Sequence, residues 1–238
     1  EDPFLSSEMG VAFVSPFEKM GVVTTPKHFL ANSGDGGRDS YPIDINERLL
    51  EEVYLPPFKA CFERGGSRSV MTSYNSINGS PCTANNWLLN NKLKQQMHFA
   101  GFVISDASAV GGANVLHYTA SDYPTASANA INNGLDVIFQ TAYDHHTLFM
   151  PPFLDGRISP KAIDSALARV LSIKFELGLF ENPYTNEAEV SQWNGNAAHK
   201  LIAKQAALKS IVLLKNESQT LPLSSTVSSI AVIGTDAK

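Results

Sequence analysis

The sequence predicts an α/β protein whose strands run parallel, and three observations carry that prediction. Short apolar segments alternate with amphipathic ones, and no hairpin signal joins consecutive strands. Each apolar segment ends on polar residues: Lys27-His28, Ser73-Tyr74-Asn75, Ser105-Asp106 and Gln140. After Phe180 the character changes to a polar, turn-rich stretch without period. Polar groups collected at one end of parallel strands suit either a β/α barrel or a doubly wound sheet, because both place ligands at carboxyl ends.

Taken in order, "GVVTTPKHF" (21–29) reads as a strand, followed by the Gly-, Asn- and Asp-rich loop "LANSGDGGRDSYP". "INERLLEEVYLPPFKACFERG" has Leu49, Leu50, Val53 and Tyr54 at helical spacing, with a proline pair interrupting it. "RSVMTSYN" (68–75) is the second strand, and "NNWLLNNKLKQQMHFAG" a helix closed by Gly101. "FVISD" is the third strand, "SDYPTASANAINNG" a helix ending at Gly134, and "LDVIF" (135–139) the fourth strand. "SPKAIDSALARVLSIKFELGLF" (159–180) is a long helix opened by Ser159 as cap, with Pro160 at its first position.

The segment 181–196 reads as a linker. The helix "AAHKLIAKQAALKS" and the strands "IVLLKN" and "SIAVIGTDA" follow in 197–238. One helix and two strands bury too little for a core of their own, so this tail reads as the opening of a second α/β domain. With about half the βα units of a full barrel in 1–180, the sequence looks cut at both ends.

Bulk properties remove several function classes. In 238 residues, 18 basic and 23 acidic side chains give a formal net charge of −5. That balance, with no basic cluster, argues against nucleic acid or an anionic membrane as partner. No apolar run reaches the roughly 18 residues of a membrane-spanning helix, and "EDPFLSSEMG" is no signal peptide. Cys61 and Cys82 are too few for a metal site, so no metal is expected; Cys61 reads as a core residue, and whether the two pair stays open. The sequons at Asn78-Gly79-Ser80 and Asn216-Glu217-Ser218 say little, triplets of this kind being frequent by chance.

Read locally, Asp106 is either a helix cap or a carboxylate held out for chemistry, since an unpartnered buried Asp is costly. The residues after it, "ASAVGG", are small enough to leave room for a ligand. Lys27 and His28 are either a surface lysine and a core histidine or a pair of donors at a strand's end. Met71 reads equally as a core residue, and Arg38 and Asp39 can pair with each other on a solvated loop.

Seven segments in order carry a resemblance: "EDPFLSSEMG", "TPKHFLAN", "ERLLEEVYLPPFKA", "SVMTSYNSINGSPCTANNWLL", "GFVISDASAV", "NNGLDV", and "GLFENPY" leading to "AAHKLIAKQAALKSIVLLKNESQTLPL". Over nearly its whole length the chain resembles the family 3 glycoside hydrolases, the β-glucosidase and β-xylosidase group. The resemblance implies the C-terminal part of a (β/α)8-type barrel followed by the beginning of an α/β sandwich domain. It implies a retaining exo-β-glycosidase that releases terminal glucose or xylose from an oligosaccharide or glycoside, without a cofactor. In that reading Asp106 is the nucleophile, Lys27 and His28 bind sugar hydroxyls, and Met71, Tyr74 and Arg38 line the pocket. Asp136 supports the barrel. The acid/base, expected about 5–5.5 Å from the nucleophile, is a Glu placed by the resemblance beyond Lys238.

Two departures bear on specificity. Many relatives carry a ring directly after the nucleophile, where this chain has Ala107. A subfamily with a His in a Pro-Gly-His-Gly loop as acid/base is not matched by "LANSGDGG", where Asp35 is only a weak substitute. The resemblance further implies an extracellular or periplasmic setting, with a homodimer or association with further segments of the same enzyme as partners. The rival readings are a sugar-binding remnant without turnover, and a doubly wound domain using Asp106 as phospho-acceptor or metal ligand.

Overall fold

The structure, a computed structural model, describes residues 2–32 and 40–236. The chain divides into two compact units, Glu1–Pro183 and Tyr184–Lys238.

The first unit opens with helix α1 (Pro3–Lys19), an element absent from the sequence prediction. Its start is nonetheless encoded: the Asp2 carboxylate accepts from the Phe4 N–H at 3.0 Å, and Pro3 takes the first position, where no N–H is required. The expected strand over 21–29 contracts to its last residues. Pairing is confined to Phe29 beside Thr72, with Phe29 N donating to Met71 O (2.7 Å) and Met71 N to Pro26 O (3.1 Å). Pro26 has no N–H to extend the ladder.

The proline pair does not break the next helix. A short α2 (Glu47–Leu49) runs into a wider π-wound stretch, Leu50–Tyr54, and then α3 (Leu55–Glu63). The widened turn resets the register so that Pro56 and Pro57 fall in the first turn of α3, where their missing N–H groups cost nothing.

Strand β1 (Ser69–Met71) is followed by a hairpin, β2 (Ser76–Ile77) and β3 (Ser80–Pro81), which contradicts the expectation of no hairpin. The signal was Asn78-Gly79: both take positive φ, 49° and 80°, as a two-residue turn between right-twisted strands requires. The triplet read as a glycosylation sequon is this turn.

The π helix Trp87–Gln96 ends before Gly101, the expected stop, at Met97 and at His98 with φ 52°. Gly101 has a packing role instead: a Cβ there would lie 2.2 Å from the Arg68 carbonyl oxygen, where the chain enters β4 (Phe102–Ile104). β1 and β4 pair in parallel, Ser69 beside Phe102 and Met71 beside Ile104. The expected fourth strand is a single bridge from Val137 to Ile104.

Between β4 and the Val137 bridge lie α4 (Gly112–Val115) and α5 (Tyr123–Asn132, capped by Asp122), and after the bridge come α6 (His146–Phe149), α7 (Pro151–Leu154) and α8 (Pro160–Glu176). Ser159 caps α8 as expected, its hydroxyl accepting from Ala162 N at 3.2 Å. Phe29, Val70, Leu89, Val103, Val110 and Leu135 belong to one fully buried core among these elements. Among the described residues no helix is long and apolar enough to cross a membrane.

In the second unit only the helix of the expected elements forms, over Ala197–Ser210. Among the described residues of "IVLLKN" and "SIAVIGTDA" none has a strand partner. Leu214 and Ile233 are over nine-tenths exposed, so neither segment finds the ladder or the apolar cover that a strand needs.

Asp136 anchors the N-terminal side of the parallel pairing. Its buried carboxylate accepts from Val103 N (2.8 Å) and lies 3.0 Å from Arg169 Nη1 and 3.5 Å from Lys94 Nζ. Burial raises the Asp136 pKa despite both cations, and burial lowers that of Lys94 to about 8 from its ordinary 10.5. Between those lysine values the unfolded chain holds a proton that the folded one has shed, so this group makes stability rise with pH. Asp136→Ala should therefore cost about 3–5 kcal/mol near neutrality by leaving cations buried unpaired. In urea unfolding the cost should shrink as the pH rises towards about 8, because Lys94 without Asp136 discharges at lower pH than in the wild type; a cost under about 1 kcal/mol at pH 7 would refute this role.

Candidate active site

The C-terminal ends of the paired segments bring His28, Met71, Tyr74 and Asp106 to one edge of the first unit. Phe29 N bonds Met71 O, and Thr72 N bonds Ile104 O at 2.9 Å, so each strand fixes the height of the next. Ser105 N donates to Val137 O (2.9 Å), and the Ser105 hydroxyl accepts from Phe139 N (2.9 Å). Asp106 thus leaves the ladder with the residue before it held on both sides.

Asp106 is buried, at 7% exposure. Its Oδ2 lies 2.7 Å from His28 Nε2, and its Oδ1 accepts from Ala107 N at 2.7 Å. That second bond is local, as in a cap, yet among the described residues the carboxylate satisfies no N–H further along. The structure spends its other oxygen on a histidine from a distant segment. His28 Nδ1 lies 3.3 Å from the Asn32 side-chain amide nitrogen. With that amide donating to Nδ1, the ring proton sits on Nε2 and faces Asp106. Tyr74 donates its hydroxyl to Ala107 O (3.0 Å), and its ring centroid is 6.4 Å from that of His28.

The other sequence candidates fall differently. Met71 ends β1 half-buried, its backbone joined to Pro26 and Phe29. Lys27 is exposed and lines a mainly apolar cavity of about 540 Å³ with Met9, Phe13, Pro26 and Phe58. Its neighbour His28 alone of the pair contacts Asp106. Arg38, Asp39 and Asp35 lie outside the described residues. Asp136 lies at the opposite end of the strands, ion-paired as described above, which agrees with a supporting role.

Sequence reading missed Asn75 and His117. Asn75 is buried, and its amide donates to Leu30 O (3.2 Å), a carbonyl that also receives the Ser73 hydroxyl (3.1 Å) and the Cys82 thiol (3.8 Å). His117 Nε2 lies 2.7 Å from Tyr74 O. Asn75 was marked only as part of a polar strand end and His117 by no local pattern; both act on backbone carbonyls brought near only by the fold. Among the described residues no group of three or more His, Cys, Asp or Glu is placed to hold a metal ion.

Residues 1–173 match the profile of the glycosyl hydrolase family 3 N terminal domain. A β-xylosidase of Formosa agariphila is 36% identical across the whole chain, which covers 35% of that protein. A periplasmic β-glucosidase of Salmonella typhimurium is 34% identical over 98% of the chain and 32% of its own length. Among solved structures, a β-glucosidase of Erythrobacter marinus superposes with a TM-score of 0.84 at 32% identity, covering 94% of this chain and 31% of that one. A β-glucosidase of Listeria innocua in complex with glucose gives 0.82 at 31% identity, over 94% of this chain and 32% of its own. The chain therefore spans about a third of the length of the curated relatives it matches.

The thiols test the packing beneath this edge. Cys61 and Cys82 are both free and buried. Burial raises both pKa values, that of Cys82 to about 11. Both should be silent to a thiol reagent at pH 8 in the folded protein and react once denatured, because the thiolate is the nucleophile. Native-state labelling of Cys82 at the denatured rate would show that the knot around Leu30 O is open.

Proposed function

Because the chain belongs to glycoside hydrolase family 3, we propose that it carries the nucleophile half of a retaining exo-β-glycosidase site, with Asp106 as the nucleophile. The family's N-terminal domain is of TIM-barrel type, and the parallel segments ending at His28, Tyr74 and Asp106 correspond to its chemistry-bearing strand ends. The observation that carries the reading is the 2.7 Å contact between His28 Nε2 and Asp106 Oδ2 at that edge. A carboxylate gripped by a histidine N–H on one oxygen and a backbone N–H on the other is fixed in direction while keeping lone pairs for attack.

In the proposed reaction an Asp106 oxygen forms a bond to the anomeric carbon as the glycosidic C–O bond breaks. The leaving oxygen takes a proton from a general acid, and the product is a glycosyl ester on Asp106 with one inversion. Water then attacks the same carbon, passes its proton to that acid/base and frees Asp106, giving net retention. Among the described residues no second carboxylate contacts Asp106, and the family resemblance assigns the acid/base to a Glu beyond Lys238. His28, Lys27, Met71, Tyr74 and Arg38 are assigned to the sugar. For His28 and Tyr74 the support is proximity to the carboxylate; for the other three it is the resemblance alone.

Terminal β-linked glucose or xylose is the proposed substrate, since the relatives named above are β-xylosidases and β-glucosidases. An extracellular or periplasmic setting is proposed on the same ground, one relative being named as periplasmic.

The test is intact-mass spectrometry after incubation with 2-fluoro-glucosides and 2-fluoro-xylosides bearing a good leaving group. The expected result is one added fluoro-sugar on the peptide containing Asp106, absent in Asp106→Asn. Folded protein that gains no mass with either sugar, or gains it elsewhere, overturns the assignment.

A further inference from the structure

The loop that carries Asp106 reaches Tyr74 twice. Directly after β4, Ala107 O accepts the Tyr74 hydroxyl at 3.0 Å. Ten residues on, His117 Nε2 meets the Tyr74 backbone carbonyl at 2.7 Å. A carbonyl oxygen only accepts, so the proton is on Nε2, and the contact holds for the neutral ring and the imidazolium alike.

Both grips are themselves anchored. His117 N donates to Gly112 O (2.9 Å), and Thr119 fastens the turn through its N–H (2.8 Å) and hydroxyl (3.2 Å) to Ala113 O. On the near side Ser108 takes φ 61° and donates its N–H to Phe139 O at 3.0 Å. Tyr74 is therefore clamped at backbone and hydroxyl by one loop, with its ring spanning the gap beside the His28–Asp106 pair.

We propose that His117 is a positioning residue for the site, setting the place of the Tyr74 phenol relative to Asp106 through the Tyr74 carbonyl. With the carbonyl end released, the phenol would pivot about its hydroxyl bond, and displacements near 1 Å cost reactions of this kind as much as 10²-fold. The inference rests on Asp106 being the nucleophile, and the experiment separates the two.

The rate of Asp106 labelling by an activated 2-fluoro-glycoside is measured for the wild type and for His117→Leu, His117→Gln and His117→Asn. Glutamine carries its amide nitrogen near the position of Nε2, whereas asparagine falls short. Leu and Asn should slow labelling by about ten- to a hundredfold, and Gln should restore most of the rate, with all variants matched for urea midpoint. In a Tyr74→Phe background, where there is no hydroxyl to place, His117→Leu should have little further effect.

Labelling of the wild type with equal rates in all three variants overturns the positioning role. So does slowing by Gln as severe as by Leu. A wild type that does not label refutes the nucleophile assignment instead. If the Leu variant unfolds, the Asn–Gln comparison decides the question.

Discussion

Parallel pairing at β1 and β4, widened by one bridge on either side, is the constraint from which the site hangs. In a parallel ladder the bonds slant from strand to strand, so each segment sets the height at which its neighbour's chain departs. Phe29 is held to Met71 and Ser73, Thr72 to Ile104, and Ser105 to Val137. These bonds put His28, Tyr74 and Asp106 level although they come from separate segments. The ladder is short, and the buried side chains of Val70, Val103 and Leu135 across it supply the apolar cover that keeps water from competing for its bonds.

Beyond the last ladder bond, order is maintained by side chains acting on carbonyls. Leu30 O collects the Ser73 hydroxyl, the Asn75 amide and the Cys82 thiol, which ties the chain after His28 to the hairpin that follows β1. The hairpin is fixed in turn by Asn78, whose side chain both accepts from Ile45 N (2.8 Å) and donates to Ile45 O (3.0 Å). A strand end is where the backbone stops satisfying itself, so polar side chains are required there whether or not chemistry is done. Polar residues at strand ends thus report both structure and site, and their mere presence does not distinguish the two.

That double meaning explains what was legible in the sequence. Parallel strands, the α8 cap at Ser159 and the carboxylate after β4 could be read locally, because each depends on neighbours within a few residues. Helix α1 carried its Asp-Pro start in plain view, but its apolar residues are not confined to one stripe: Phe4, Leu5, Met9 and Phe13 are exposed. The Asn78-Gly79 turn was equally visible and was obscured by reading the triplet as a sequon. The strand over 21–29 shrank because a pattern of apolar residues does not report that Pro26 lacks a donor to pair. His117 was not legible at all, and Asn75 only as one polar residue among several at a strand's end, since what they bind is a backbone oxygen, and carbonyls carry no residue identity. Within the site, the resemblance put Lys27, His28 and Asp106 in one pocket without a contact between His28 and Asp106; spacing alone left Lys27 and His28 equivalent, and the structure separates them.

Two carboxylates on neighbouring strands show how position decides use. Asp136 precedes its strand bridge and Asp106 follows the end of β4, so one lies at the foot of the ladder and the other at its head. At the foot, Asp136 faces two cations and a backbone N–H, and is committed to holding Val103, Lys94 and Arg169 together. At the head, Asp106 meets an imidazole and its own neighbour's N–H, which orient it. Exchanging these environments would spoil both. A lysine against Asp106 would engage in an ion pair the carboxylate lone pairs that the proposed attack needs, and a neutral imidazole in place of the two cations would leave the buried Asp136 carboxylate without a counter-charge. The same side chain is structural at the foot of the strand and, in the proposed reading, reactive at its head, a division that barrel folds of this type make between their two faces.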